Sequence, residues 1–113
     1  MSVTATKKEA GIAVNFTTSN EINMSSYEIE ESNNGTSFTK GTTIMAINNV
    51  SNSYNWLDAT IENGNNFYRI KGIDKNGTIS YSQIVNVKLG SIKGEFTIYP
   101  NPDFNIIIGE NSA

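Results

Sequence analysis

Residues 66–82, NFYRIKGIDKNGTISYS, constrain the chain more than any other stretch. Two runs of β-forming residues, 67–73 and 78–82, flank Asp74-Lys75-Asn76-Gly77. An Asn-Gly pair between alternating segments is the strongest local hairpin signal a sequence carries. Gly77 reaches positive φ without a Cβ clash, and Asn76 tolerates the left-handed region better than most residues. The hairpin fixes the register of two strands, and the rest of the chain reads as strands laid around it.

Alternation supplies those strands. Ile12, Val14 and Phe16 share one face and Ala13, Asn15 and Thr17 the other, the period of a half-buried strand. Residues 18–25 read as a polar turn. Tyr27 and Ile29 alternate with Glu28 and Glu30, which puts these two carboxylates on the wet face. A second Asn-Gly turn at Asn34-Gly35 leads to Phe38, Ile44 and Ile47. After a loop over 48–53, Tyr54 and Trp56 share parity in a short strand ending near Asp58. In the hairpin, Tyr68 and Ile70 point one way and Phe67, Arg69 and Lys71 the other. Tyr81, Val85 and Val87 continue the last strand, with Ile84 on the opposite face, so a bulge is expected there. No segment repeats with a helical period, and Asn, Thr, Ser, Gly and β-branched residues are mediocre helix formers. About seven short strands at regular turn spacing predict an all-β, immunoglobulin-like antiparallel sandwich with a C-terminal extension.

Composition excludes several kinds of chemistry. With no cysteine among 113 residues, disulfides and thiolate zinc sites are ruled out. With no histidine, the commonest general base and transition-metal ligand are missing. The eight Lys and Arg are scattered, only Lys7 and Lys8 being adjacent, so no nucleic-acid partner is expected. No apolar run approaches the ~20 residues of a membrane helix. The opening MSVTATKKEAG lacks the apolar core of a leader peptide. The chain is therefore expected to be an internal piece of a longer polypeptide.

Candidate site residues each have a plainer reading. Glu28, Glu30 and Glu31 lie on a strand, and Glu28 and Glu30 share a face about 7 Å apart. A glycosidase pair tolerates that spacing, but such a pair faces across a cleft, whereas these stand side by side on a solvated face. Asp74 to Gly77 resembles the start of a calcium loop but lacks the distal Glu, so a hairpin turn is preferred. Asp58, Glu62 and several Asn could offer oxygens to a cation, yet nothing in the sequence brings them together. Tyr54, Trp56 and Tyr81 are the candidate ligand-binding residues, an aromatic platform for a saccharide; the competing reading buries Trp and Tyr between sheets. Arg69 and Lys71 are expected to pair across strands with carboxylates. Five Asn-x-Ser/Thr sequons follow from an Asn- and Thr-rich composition. No catalytic residue, cofactor or metal is assigned.

Beyond these patterns, residues 15–23 (NFTTSNEIN), Tyr27 to Ser32, Asn34-Gly35, Phe38, Tyr54 to Asp58, Phe67 to Lys71, Asp74 to Gly77 and Tyr81-Ser82 resemble, in order and spacing, a fibronectin type III-like module. That module recurs near the C-termini of proteins exported by the bacterial type IX secretion system. The resemblance covers nearly all of residues 3–87. Phe96 to Pro102, FTIYPNP, is similar to the opening strand of the type A sorting domain of such proteins. The family's later strands, its Gly-x-Tyr segment and its basic end are not among these residues. The resemblance implies a fibronectin type III-like sandwich over 1–89, a linker over 90–95 and a truncated piece of sorting domain over 96–113. It implies a non-catalytic spacer in a secreted or cell-surface parent, whose partners are the parent's other domains. The alternative is an accessory module that binds polysaccharide or protein. The apolar 96–108 stretch is expected to fray or to add as a strand to an exposed edge, its own or a second copy's.

Overall fold

Period-two alternation decides which side chains meet. Val3, Ile12, Val14, Phe16 and Tyr54 face Tyr27, Ile29, Tyr68 and Ile70, and all nine are at most 4% exposed. Each such side chain contributes about 1.5–3 kcal/mol by leaving water. In the computed structural model, which describes residues 1–90, these residues come from two sheets. The strands are β1 (Ser2–Lys8), β2 (Gly11–Ser19), β3 (Met24–Ser32), β4 (Thr39–Met45), β5 (Ser51–Asp58), β6 (Gly64–Asp74), β7 (Ile79–Tyr81) and β8 (Val85–Leu89). One sheet has the order β1-β2-β5; the other runs β4-β3-β6-β7, with β8 also on β6, and every pairing is antiparallel. The molecule is an all-β, immunoglobulin-like antiparallel sandwich, and the alternation and turn spacing predict the all-β sandwich. The expected segments beyond Gly90 lie outside the described residues. Among the described residues no helix is long and apolar enough to cross a membrane.

Local departures from expectation have identifiable causes. The hairpin turn closes with the Gly77 amide donating to the Asp74 carbonyl at 3.0 Å, and Gly77 sits at φ 92°. Asn76 stays at negative φ, unlike the two-residue turn its Asn-Gly pair suggests. Its side-chain oxygen instead accepts from the Thr78 amide and hydroxyl at 3.0 and 2.7 Å. β5 begins at Ser51, earlier than expected, because its pairing with β2 continues to Ser19. The bulge expected near Ile84 is a break between β7 and β8, which pair with different halves of β6. There the Ser82 hydroxyl takes the place of a backbone acceptor for the Ile70 amide, at 2.8 Å. β7 and β8 are thus one interrupted edge.

The strand registers define two poles. The turns after β2, β4 and β6 gather at the first pole, beside the start of β1. The turns after β1, β3 and β5 gather at the second, beside the end of β8. The chain therefore enters at one pole and leaves the described region at the other. The two outer faces also differ. That of the β1-β2-β5 sheet carries rows such as Ser2–Thr17–Ser53 and Thr4–Asn15–Asn55. That of the other sheet carries the ion pairs Arg69–Glu30 at 2.7 Å and Lys71–Glu28 at 3.9 Å. The expected cross-strand charge pairing is present, but Glu30 is only 9% exposed, because Arg69 lies against it.

Candidate functional site

The second pole collects the polar groups whose chemistry is least ordinary. On β3, Glu31 continues the inward parity of Tyr27 and Ile29. On β5, Asp58 continues that of Tyr54 and Trp56. On β6, Tyr68 shares parity with Ile70. Three strands thus deliver a carboxyl, a carboxylate and a phenol to one end of the core. Asp58 is 1% exposed. Its Oδ2 accepts the Tyr68 hydroxyl at 2.6 Å, and its Oδ1 accepts the Thr60 amide and hydroxyl at 3.0 and 2.8 Å. Burial alone would raise the Asp58 pKa, but the Tyr68 and Thr60 donors and a hydrogen bond from Glu31 hold it below its ordinary value. Glu31 moves the other way. Burial, the Asp58 charge, the hydrogen bond to Asp58 and the Glu62 charge together push it up to about 7. A second negative charge beside Asp58 is disfavoured behind a low-dielectric wall, which is why Glu31 holds its proton more tightly than an exposed carboxyl.

Gly41 on β4 makes room for this pair. A Cβ there would lie 2.8 Å from Trp56 Cη2 and 3.1 Å from Glu31 Oε2. The register of β4 slips beside Gly41, between Ile29 and Glu30 of β3. Above the pair opens a cleft of about 360 Å³, lined by Glu31, Thr39, Thr60, Glu62 and Phe67 among others. The pair can hold and release a proton near neutral pH. It does not have the layout of a glycoside hydrolase, whose carboxyls stand roughly 5–10 Å apart across the scissile bond. Among the described residues no three acidic side chains are grouped to hold a metal ion.

The first pole holds one buried carboxylate, Glu21, 8% exposed. It accepts the Tyr27 hydroxyl at 2.8 Å, the Tyr54 hydroxyl at 2.8 Å, the Asn48 amide at 2.8 Å and the Thr18 hydroxyl. Burial would raise its pKa, yet these donors outweigh burial and hold it below its ordinary value. Tyr27 and Tyr54 are pushed up, first by burial and further by the neighbouring charge of Glu21. Asn20, Asn23 and Asn48 around this pole adopt φ of 54°, 57° and 61°, a region that Asn enters with less penalty than most residues. Asn48 also ties β3 down with its side chain, accepting the Met24 amide at 2.9 Å and donating to the Met24 carbonyl at 3.0 Å.

Of the three aromatic candidates, Tyr54 and Trp56 share the inward face of β5 and Tyr81 lies on the other sheet. Tyr54 is 4% exposed, stacked on Phe16 with ring centroids 4.6 Å apart. Trp56 is partly buried against the core, its ring over Gly41. Tyr81 is 51% exposed on the outer face of the opposite sheet. It covers one side of the Arg69 guanidinium at 4.4 Å, while Phe38 covers the other at 4.2 Å. The three present no common exposed surface, since Tyr54 and Trp56 face the core and Tyr81 faces solvent on the other sheet. It does bring Asp58 and Glu62 into one neighbourhood, and it adds Glu31. Parity is the available signal: Glu31 is the third odd residue after Tyr27 and Ile29, and inward residues at strand ends meet at a pole. Glu21 has no such signal, because it lies between strands.

Comparison with known proteins finds no match: no family model, no curated protein and no solved structure matches the chain.

Proposed function

We propose that the chain is a non-catalytic structural module, an in-line spacer within a longer exported bacterial polypeptide, standing ahead of its sorting segment. The observation that carries this reading is the placement of the two ends of the described chain. Ser2 starts β1 at the first pole and Leu89 ends β8 at the second. β6, with eleven residues, runs the length of the sandwich, so the module holds its two flanking segments about 35 Å apart. The inward aromatics support the same reading: Phe16, Tyr27, Tyr54 and Tyr68 are all at most 4% exposed. The export and cell-surface context rests on the sequence resemblance.

A second reading has one observation in its favour. Tyr81, Arg69 and Phe38 form a cation–aromatic stack on the charged outer face, with Tyr81 half open to solvent. That stack would make this an accessory module for a polysaccharide or protein. The two readings part in the parent polypeptide. Replacing the module with an unrelated in-line β-sandwich of equal length should preserve the parent's surface display and activity, and deleting it should impair them. If the replacement fails, and Tyr81→Ala with its melting temperature unchanged fails equally, the spacer reading is overturned in favour of binding.

A further inference from the structure

The four sheet edges are not equally protected. On β4 the edge carries Lys40 and is kinked by the register slip beside Gly41. On the β7–β8 side it is broken, and β7 is three residues long. β1 lies against β8 and ends in Lys7 and Lys8. Bulges, lysines, interruptions and covering elements are the devices by which sheet proteins keep their edges from pairing with other chains. β5 has none of them. It pairs with β2 over eight consecutive residues without a register break. Its sequence, SNSYNWLD, holds no proline, no lysine and no charge before Asp58. Among the described residues its other side pairs with no strand.

We propose that β5 is a self-association edge, pairing antiparallel with β5 of a second copy of this chain about a two-fold axis at Asn55. The two three-stranded sheets become one six-stranded sheet. An axis at a residue keeps inward side chains opposite inward ones and outward opposite outward, as a continuous sheet requires. With the axis at Asn55, Ser53 lies opposite Leu57 of the second copy, and Leu57, 44% exposed, gains a neighbour. Charge favours this partner over others. The outward rows beside β5, Thr17–Ser53, Asn15–Asn55 and Ala13–Leu57, carry no charge, so two copies of a chain of net charge −3 approach here without like charges meeting. The contact is isologous and closes on itself, because the remaining edges are protected. An edge contact of this kind is small, so a concentration-dependent monomer–dimer equilibrium follows rather than a permanent dimer. The inference is independent of the spacer reading.

The test is sedimentation equilibrium of the full 113-residue chain from low to high micromolar concentration. The wild type should dimerise reversibly. Asn55→Lys and Asn55→Glu, whose side chains point away from the core, should each keep the wild-type melting temperature. Each should weaken dimerisation by at least about tenfold, since like charges then face each other across the axis. An equimolar mixture of the two variants should recover association. A wild type that stays monomeric throughout would overturn the proposal. So would variants that dimerise as well as the wild type, a mixture that fails to recover, or dimerisation abolished only by removing residues 91–113.

Discussion

The two poles of this sandwich treat a buried carboxylate in opposite ways. At the first, Glu21 stands alone among the Tyr27 and Tyr54 hydroxyls, the Thr18 hydroxyl and the Asn48 amide. At the second, Asp58 takes the Tyr68 and Thr60 donors and leaves Glu31 facing its charge with Glu62 nearby. Donors in excess stabilise an anion inside a protein; two anions competing for a few donors force one of them to keep its proton. One pole is thus a closed hydrogen-bonded plug, and at the other Glu31, beside an open cleft, loses its proton only near neutral pH.

Removing the plug is expected to have the largest effect. Glu21→Ala leaves two buried phenols and a backbone amide without their acceptor, which costs about 3–5 kcal/mol. That is a large fraction of a typical domain's stability, and urea denaturation reads it directly. Asp58→Ala should cost less, about 2–3 kcal/mol, because relief of Glu31 offsets part of the loss of the Tyr68 bond. Equal losses at the two poles would erase the contrast between them.

pH separates the poles next. Glu31 holds a folded pKa of about 7 against an ordinary 4.5. Between those values the folded chain keeps a proton that the unfolded chain releases, so stability falls as pH rises from about 4.5 to 7. The full shift corresponds to about 3 kcal/mol, and solvent screening of a partly open group reduces this to about 1–2. Glu21 and Asp58 act with the opposite sign. Their lowered values contribute stability above the ordinary carboxylate range, and it is lost as pH falls through them. The urea midpoint should therefore peak near pH 5, and Glu31→Gln should flatten the alkaline limb alone.

Smaller effects sharpen the picture around the proton-holding pole. Gly41→Ala puts a methyl group 2.8 Å from Trp56 and should cost about 1–2 kcal/mol, with a shift in tryptophan emission. Arg69→Lys keeps the charge but loses the planar stack between Phe38 and Tyr81, a change of about 0.5–1 kcal/mol in thermal or urea melts.

Much of this architecture is written in alternation. Ile12, Val14, Phe16, Tyr27, Ile29, Tyr68 and Ile70 face inward as period two requires, and Arg69 and Lys71 find Glu30 and Glu28 across the sheet. The turn at Asn76-Gly77 is in place, although its geometry follows the Asn76 side-chain bonds rather than a left-handed Asn76. The polar ends are harder to read, because they depend on which strand termini converge. Glu31 and Asp58 are 27 residues apart in sequence, and only the antiparallel registers bring them together. Parity marks both as inward, but the apolar pattern draws attention away from a charged residue at the end of an apolar row. Glu21 lies in a stretch with the composition of a loop, and its burial comes from Tyr27 and Tyr54 reaching out of two different sheets.

The contrast between the poles is tested most directly by following the side-chain carboxyl carbons of Glu21, Glu31 and Asp58 by NMR from acid to neutral pH. Glu31 should titrate near 7, with Glu21 and Asp58 both below their ordinary values of 4.5 and 3.8. A Glu31 that titrates at its ordinary 4.5 would show that neither burial nor the Asp58 charge raises it, and that the poles do not differ.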